Sequence, residues 1–149
     1  MTALASEKRI NNLQQRFIAG VTLPIKAGEI IYAGAAIAVV AGKWQNVTTA
    51  TGLEGRCAES TETVDNTADG KRLEGRFYGH YGKNLAPFKN DTGAPIVAAN
   101  LGDEVFWVDN QTVSISDAGG TRSKAGRVWK FASQGTFETD TTVVWVEVY

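Results

Sequence analysis

The sequence has few of the residues that most often carry chemistry: its 149 residues include one cysteine and one histidine. A single thiol excludes an internal disulfide, and two residues of these types are too few for a zinc site. Sixteen acidic and fifteen basic residues give a net charge of −1, so the chain lacks the positive field with which proteins displace counterions from nucleic acid. The sequence therefore predicts no metal, no cofactor and no nucleic-acid partner.

Long apolar runs are also missing. The longest mainly apolar stretch, Ile30 to Ala41, is interrupted by Gly34 and is well short of the roughly 20 residues that a membrane-spanning helix needs. The N-terminal segment MTALASEKRINNLQQRF has charges at positions 7 to 9 and no apolar run suited to a signal peptide. We therefore expect synthesis in the cytoplasm and no membrane contact.

The two residues best suited to catalysis do not lie in catalytic patterns. Cys57 lies in the strand-like segment LEGRCAES, not at the start of a helix that would lower the pKa of its thiol. His80 lies in FYGHYGK without a convincing partner, and no Gly-x-Ser-x-Gly motif occurs. The segment Asp65–Gly70 begins like a calcium loop, but its third position is threonine and its twelfth is Arg76, where such a loop requires glutamate. The chain is therefore predicted not to be an enzyme.

Glycine is abundant, with sixteen residues against three prolines. Together with many Thr and Val residues and short apolar alternations, it favours a mainly β fold, a compact β-sandwich or barrel-like domain. The polar segment from Glu59 to Lys71 is predicted to be an exposed loop. The predicted strands are 17–23, 29–33, 36–40, 43–48, 53–58, 72–81, 96–98, 104–108, 112–116, 126–132 and 142–148.

The N-terminus differs from the rest of the chain. After Ser6, an acceptable N-cap, Ile10, Leu13 and Phe17 fall at helical spacing. This spacing predicts a short helix or extended arm over 1–16, followed by a single β domain over 17–149. The arm packs either on its own domain or on a neighbouring subunit.

The C-terminal strand, Val143 to Val148, has a period of two. The valines at even positions point one way, whereas Val143, Trp145 and Glu147 point the other, so both faces are largely apolar. Such a strand belongs in the middle of a sandwich or barrel, or at a subunit interface.

Two segments 74 positions apart share the pattern glycine, acid, any residue, aliphatic, aromatic: Gly28–Tyr32 and Gly102–Phe106. Each is followed by Gly-Arg and an apolar residue, at Gly55–Cys57 and Gly126–Val128, and Gly75–Phe77 is a third copy of this second half. We interpret them as a repeated unit in which a turn enters a strand and a glycine lets the chain bend or bulge on its return. Generic turn chemistry is the alternative.

These segments resemble the decoration, or cement, proteins of tailed-bacteriophage capsids. The matching segments are VTLPIKAGEIIY (21–32), LEGRCA (53–58), LGDEVFW (101–107) and AGRVW (125–129). The resemblance implies a glycine-rich β domain that binds the outer surface of the capsid and cements neighbouring major capsid subunits, stabilising the expanded head. It also implies a homo-oligomer, preferably a trimer and alternatively a dimer, that is made in the host cytoplasm and located on the virion.

Two apolar sets are candidates for partner binding, and burial within the monomer is the alternative for both. The arm set, a candidate for docking on a neighbour or on the shell, is Leu4, Ile10, Leu13 and Phe17. The seam set, a candidate contact between subunits, is Val143, Trp145 and Tyr149.

Two other functions remain open from the sequence. One is a different virion or tail component, such as a tube or adaptor protein. The other is a carbohydrate-binding module, because tryptophans can stack on sugars. The candidate tryptophans are Trp44, Trp107, Trp129 and Trp145.

Overall fold

The computed structural model of the protein describes residues 20–76, 84–131 and 141–149. Within them a short 3-10 turn lies at Ala98–Asn100, and the mainly β class is confirmed. The predicted N-terminal helix or arm, with Leu4, Ile10, Leu13 and Phe17, lies outside the described residues. The strands are β1 (Gly20–Pro24), β2 (Ile30–Ile31), β3 (Ala36–Val40), β4 (Lys43–Asn46), β5 (Cys57–Ser60), β6 (Val64–Asp65), β7 (Arg72–Arg76), β8 (Leu85–Asn90), β9 (Glu104–Trp107), β10 (Thr112–Ser114), β11 (Lys124–Phe131) and β12 (Val143–Val148).

The first seven strands form one unit. Five of them make a sheet in the order β1-β7-β5-β3-β4, while β2 pairs with β6. The β2–β6 pair continues the antiparallel register of β3 and β5. Strands β2 and β3 are therefore two parts of one long, interrupted strand, and β5 and β6 are two parts of another. A parallel bridge between Ile25, just after β1, and Trp44 in β4 joins the two edges of the sheet.

The last five strands form a closed barrel in the order β10-β8-β12-β11-β9, which confirms the barrel-like prediction. The pair β8–β10 is parallel and the other pairs are antiparallel. The first unit has the same order and the same parallel closure, with β1, β7 and β4 in the places of β8, β12 and β10. The chain therefore contains two copies of one strand arrangement.

The turns at Gly28 and Gly102, the glycine turns of the predicted repeat, come just before strands that occupy equivalent positions in the two units. Gly28 and Gly102 have φ angles of +84° and +90°, in the left-handed region that favours glycine. Each turn exchanges two backbone hydrogen bonds with the returning chain, the first with Asn66 (3.2 and 2.9 Å) and the second with Val128 (3.0 and 3.0 Å). The first half of the predicted repeat is thus repeated in the structure, and Asn66 is the counterpart of Val128.

The three Gly-Arg pairs, in contrast, are not equivalent, and this half of the predicted repeat is wrong. Gly55 lies in a turn with φ +75°, and no described atom lies within 4 Å of where its Cβ would be. Gly75 lies against the indole of Trp44, whose Cε2 would be 2.7 Å from a Cβ. Gly126 lies at a bulge of β11, where a Cβ would overlap the backbone carbonyl of Glu147. Glycine is needed at each place for a different reason.

Three points of the strand prediction are also corrected. Of the predicted strand 53–58, only Cys57 and Ala58 lie in a strand, because residues 53–56 lie in the turn before β5. The predicted strand 96–98 is an irregular segment leading into the 3-10 turn. Strand β8 was not predicted, and Pro87 in its middle cannot donate a ladder hydrogen bond. Pro87 is tolerated because β10 pairs only with Lys89 and Asn90, which leaves Pro87 paired on one side, with Trp145 of β12.

The segment 59–71 is only partly the exposed loop that its composition predicts. It contains β6 and the fully buried Asn66. The Asn66 side-chain amide donates to the carbonyls of Ile25 and Lys26 (both 3.0 Å), and its oxygen accepts from the Lys71 N–H (2.8 Å). One buried asparagine thereby fixes the turn between β6 and β7 against the turn that follows β1.

The two units share a hydrophobic core. The larger cluster of buried residues combines Ala36, Leu53 and Cys57 of the first unit with the interior of the barrel, including Trp107. A smaller cluster, which includes Trp44, lies within the first unit. Because apolar contacts run continuously from one unit to the other, neither unit completes its core alone.

Candidate functional site

Strand β12 has the two-residue alternation that the sequence predicts. Val144, Val146 and Val148 are buried in the barrel core, and Val143 and Trp145 are half-buried on the outer face. The strand lies between β8 and β11, so its position in the middle of a barrel is confirmed.

The outer face of β12 brings Val143 and Trp145 of the seam set to the same side of the barrel. Trp145 lies between Pro87 and Lys130 in the strand register, and the Lys130 ammonium is 5.7 Å from the centre of its ring, within cation–π range. Val143 lines an open groove of about 420 Å³. The other lining residues are Lys89, Asn90, Asp91, Thr92, Pro95, Thr141 and Thr142.

Tyr149, the third seam residue, forms hydrogen bonds within the monomer. Its hydroxyl donates to Glu104 Oε2 (3.0 Å) and accepts from Arg127 Nε (3.1 Å). Lys124 Nζ lies 3.3 Å from Glu104 Oε1. The Tyr149 hydroxyl, followed by Lys124, lowers the pKa of Glu104. This network connects the end of β12 to β9 and β11.

A group of exposed apolar side chains on the second unit was not predicted as a site. Val97, Leu101 and Trp129 are 49%, 43% and 45% exposed, and we call them the C-terminal apolar patch. The bond from the Gly102 N–H to the Val128 carbonyl (3.0 Å) brings the backbone next to Leu101 close to the backbone next to Trp129.

Trp129 is exposed because β11 contains a second bulge. Val128 pairs with Val146 and Lys130 with Trp145, so Trp129 is the extra residue between them. A bulge of this kind re-aims a side chain out of the regular alternation. The sequence contains an indication of this bulge: the apolar residues Val128 and Phe131, both buried, are three positions apart, which breaks the two-residue period of a regular strand.

A smaller exposed group lies on the first unit. Ile30 and Tyr32 are 39% and 61% exposed, whereas Ile31 between them is fully buried, as the alternation along a strand requires. We call these two residues the N-terminal apolar patch. Tyr32 also lines a cleft of about 270 Å³ where the two units meet, together with Asn110 and Gln111.

The four tryptophans have different environments. Trp44 and Trp107 are fully buried, so neither can stack on a sugar. Trp107 packs edge-on against Phe88, with ring centres 4.9 Å apart. Only Trp129 and Trp145 lie at the surface, and they leave a smaller aromatic platform than the sequence suggested.

The groups considered for catalysis or metal binding are engaged in the fold. The pKa of the Cys57 thiol is raised to about 12, mainly by burial. The negative charge of Glu54 adds to this rise, and a hydrogen bond with the neighbouring Trp107 indole partly offsets it. The Asp65 carboxylate accepts from the Thr67 N–H (2.9 Å) and hydroxyl (2.7 Å), bonds that lower its pKa. His80 lies outside the described residues.

Within residues 20–76, 84–131 and 141–149, no cluster of three or more His, Cys, Asp or Glu side chains has an arrangement that could hold a metal ion. In the same ranges no helix is long and apolar enough to cross a membrane.

Comparison of the chain with protein-family models, with curated proteins and with solved structures finds no match. The candidate site is therefore defined from the chain itself, as the outer face of β12 and the two apolar patches.

Proposed function

We propose that this protein is a structural virion protein that binds the outer surface of a tailed-phage capsid and cements neighbouring major capsid subunits, stabilising the expanded head. The resemblance of four segments to capsid decoration proteins supports this function, and the mainly β fold agrees with the glycine-rich β domain that the resemblance implies. The observation that carries the proposal is the exposure of five large apolar side chains, two on the first unit and three on the second. Exposed apolar patches are typical of protein-binding surfaces.

The physical basis of binding is burial of apolar surface. Because the formal charge is −1, long-range electrostatic attraction contributes little, and the gain comes from removing apolar side chains from water. The patches lie on or beside strands, so little conformational freedom is lost when they bind. The proposed partners are the major capsid protein and further copies of this chain, preferably as a trimer and alternatively as a dimer.

A mixing assay tests the proposal. Purified protein is added to expanded, undecorated heads, the particles are sedimented, and their disruption temperature is measured. We expect saturable co-sedimentation and a higher disruption temperature, with unexpanded heads as the control. Absence of binding by protein that is folded, as shown by circular dichroism, would refute the cement function.

The same preparation separates the two alternatives. A tail-tube protein forms stacked rings, which electron microscopy of the protein alone would reveal. A carbohydrate-binding module would change its tryptophan fluorescence on titration with glycans, through Trp129 or Trp145. The proposed cement function predicts neither result.

A further inference from the structure

We infer that the link between Asp69 and Gly70 is a site of spontaneous, time-dependent modification, at which the aspartate closes to a succinimide and reopens as isoaspartate. This inference is independent of the proposed function, because it rests on the chemistry of one turn and not on a partner.

The sequence contains one Asp-Gly pair, Asp69–Gly70, and no Asn-Gly pair. Glycine has no side chain to hinder attack by its own nitrogen on the preceding carboxyl group. The pair lies in the turn between β6 and β7, where residues 67–70 are exposed. No described atom lies within 4 Å of where a Gly70 Cβ would be. The site is therefore open to the water that reopening of the ring requires.

The Asp69 carboxylate is folded back onto the nitrogen that would attack it. Asp69 Oδ1 accepts a hydrogen bond from the Gly70 N–H at 2.8 Å, and Cγ, the carbon to be attacked, is one covalent bond from Oδ1. Asp69 has a φ angle of +59°, in the left-handed region that strains a residue with a side chain. Groups that are already held together react faster, because little orientational freedom remains to be lost. The turn therefore holds the reacting carbon and nitrogen close to each other.

The other aspartates in the described ranges are held differently. Asp103 accepts from the Asn100 side-chain amide (3.1 Å). Four more form Asx turns, in which the carboxylate accepts from the N–H two residues further on. These four, with their donors, are Asp65 with Thr67 (2.9 Å), Asp91 with Gly93 (3.1 Å), Asp109 with Gln111 (2.9 Å) and Asp117 with Gly119 (3.1 Å). Within the described ranges, only Asp69 has its carboxylate on the N–H of the next residue.

The reaction needs no reagent besides water. The Gly70 nitrogen forms a bond to Cγ of the neutral Asp69 carboxylic acid, and one carboxyl oxygen leaves as water. The two hydrogens of this water come from the carboxylic acid and from the Gly70 N–H. Water then adds to either carbonyl of the five-membered ring. Opening at the Asp69 backbone carbonyl gives isoaspartate, whose main chain runs through Cγ, and opening at Cγ restores aspartate.

Isoaspartate at position 69 would disturb the contacts of the buried Asn66. The Asp69 N–H donates to the Asn66 carbonyl (2.9 Å), and the Lys71 N–H donates to Asn66 Oδ1 (2.8 Å). These two bonds lie on either side of the modified link, and isoaspartate adds one carbon atom to the main chain between them. Asn66 is fully buried, so a hydrogen bond that it loses leaves an unpaired polar group at a cost in stability. The modified chain is therefore expected to be less stable.

Ageing of the full chain in warm, neutral buffer tests the inference. Trypsin releases residues 57–71 as one peptide, which contains both Asp65 and Asp69. A protease that cleaves before aspartate but not before isoaspartate distinguishes the two forms, and electron-transfer fragmentation locates the modified position. We expect cleavage before Asp69 to be lost with time and cleavage before Asp65 to persist. A transient form of the peptide, lighter by one water, is the succinimide.

Matched chains show whether the fold and the ring chemistry are responsible. The native chain should form isoaspartate at position 69 no more slowly than the chain unfolded in guanidinium chloride, because the turn holds the reacting atoms together. Asp69→Asn should react faster and give the same two products, with ammonia as the leaving group. Asp69→Glu should form none, because its ring would have six members. Asp117→Glu, which changes an exposed aspartate in an Asx turn, is the control and should age like the unmodified chain.

Position 69 left unmodified in the aged native chain, or modified more slowly there than in the unfolded chain, would overturn the inference. Equal modification of Asp65 would also contradict it, because the Asx-turn geometry would then make no difference. This comparison uses only the unmodified sequence, so it remains decisive if a variant does not fold. Urea unfolding of the aged protein should show a less stable fraction that grows with its isoaspartate content. Unchanged stability would contradict the expected loss of Asn66 contacts.

Discussion

Replacing the glycine of each Gly-Arg pair with alanine should give three different losses of stability. Gly55→Ala places a side chain in the left-handed region without a clash, at a cost of about 1–2 kcal/mol. Gly75→Ala pushes a methyl group into the fully buried Trp44 indole, and overpacking of this kind costs about 1–3 kcal/mol. Gly126→Ala meets the Glu147 backbone, which no side-chain rotation can relieve. We expect a loss above about 4 kcal/mol or failure to fold.

Urea unfolding followed by tryptophan fluorescence measures these losses. The Gly75 effect has its own check: Trp44→Phe makes room for the methyl group, so the double variant should lose less stability than the sum of the two single variants. Equal losses at the three glycines would contradict the reasoning, because they would mean that the Gly-Arg pairs have one shared role. A stable Gly126→Ala protein would contradict the close approach of β11 to β12.

Two further predictions concern ionisable groups. Burial raises the pKa of the Cys57 thiol to about 12. The thiol should therefore resist a disulfide reagent at about pH 8 in the native protein and react fully in urea. A rapid reaction of the native protein would contradict this burial. The pKa of Glu104 is lowered from 4.5 in the folded state, so its stabilising contribution is present above that value and is lost as the pH falls through the lower folded value. Glu104→Gln should therefore lose less stability than the unmodified chain between about pH 5 and pH 3, as measured by thermal unfolding; an equal loss would show that Glu104 does not contribute.

The elements best predicted from the sequence are those whose pattern depends on local burial. The alternation in β12 can be recognised in the sequence because one face of the strand lines the barrel core, so every second residue is a buried valine. The Gly28 and Gly102 turns are visible because a left-handed backbone strongly favours glycine.

Long-range features could not be predicted in the same way. Nothing near Pro87 in sequence shows that β8 lies beside β12, whose residues are more than fifty positions away. Asn66 looks like any polar loop residue, because its buried role depends on the carbonyls of Ile25 and Lys26, about forty positions earlier. The apolar patches were missed for a related reason: the backbone segments that carry Leu101 and Trp129 come together only when β9 and β11 pair.

The shared hydrophobic core also affects how the chain is made. The first unit is contiguous in sequence, so during synthesis all seven of its strands leave the ribosome before β12 exists, and folding then proceeds from the N-terminal side. Until the barrel forms, Ala36, Leu53 and Cys57 lack the residues that cover them. The nascent chain therefore passes through a stage with an uncovered apolar face. That stage is when premature association between neighbouring chains, or binding by a chaperone, competes with completion of the fold.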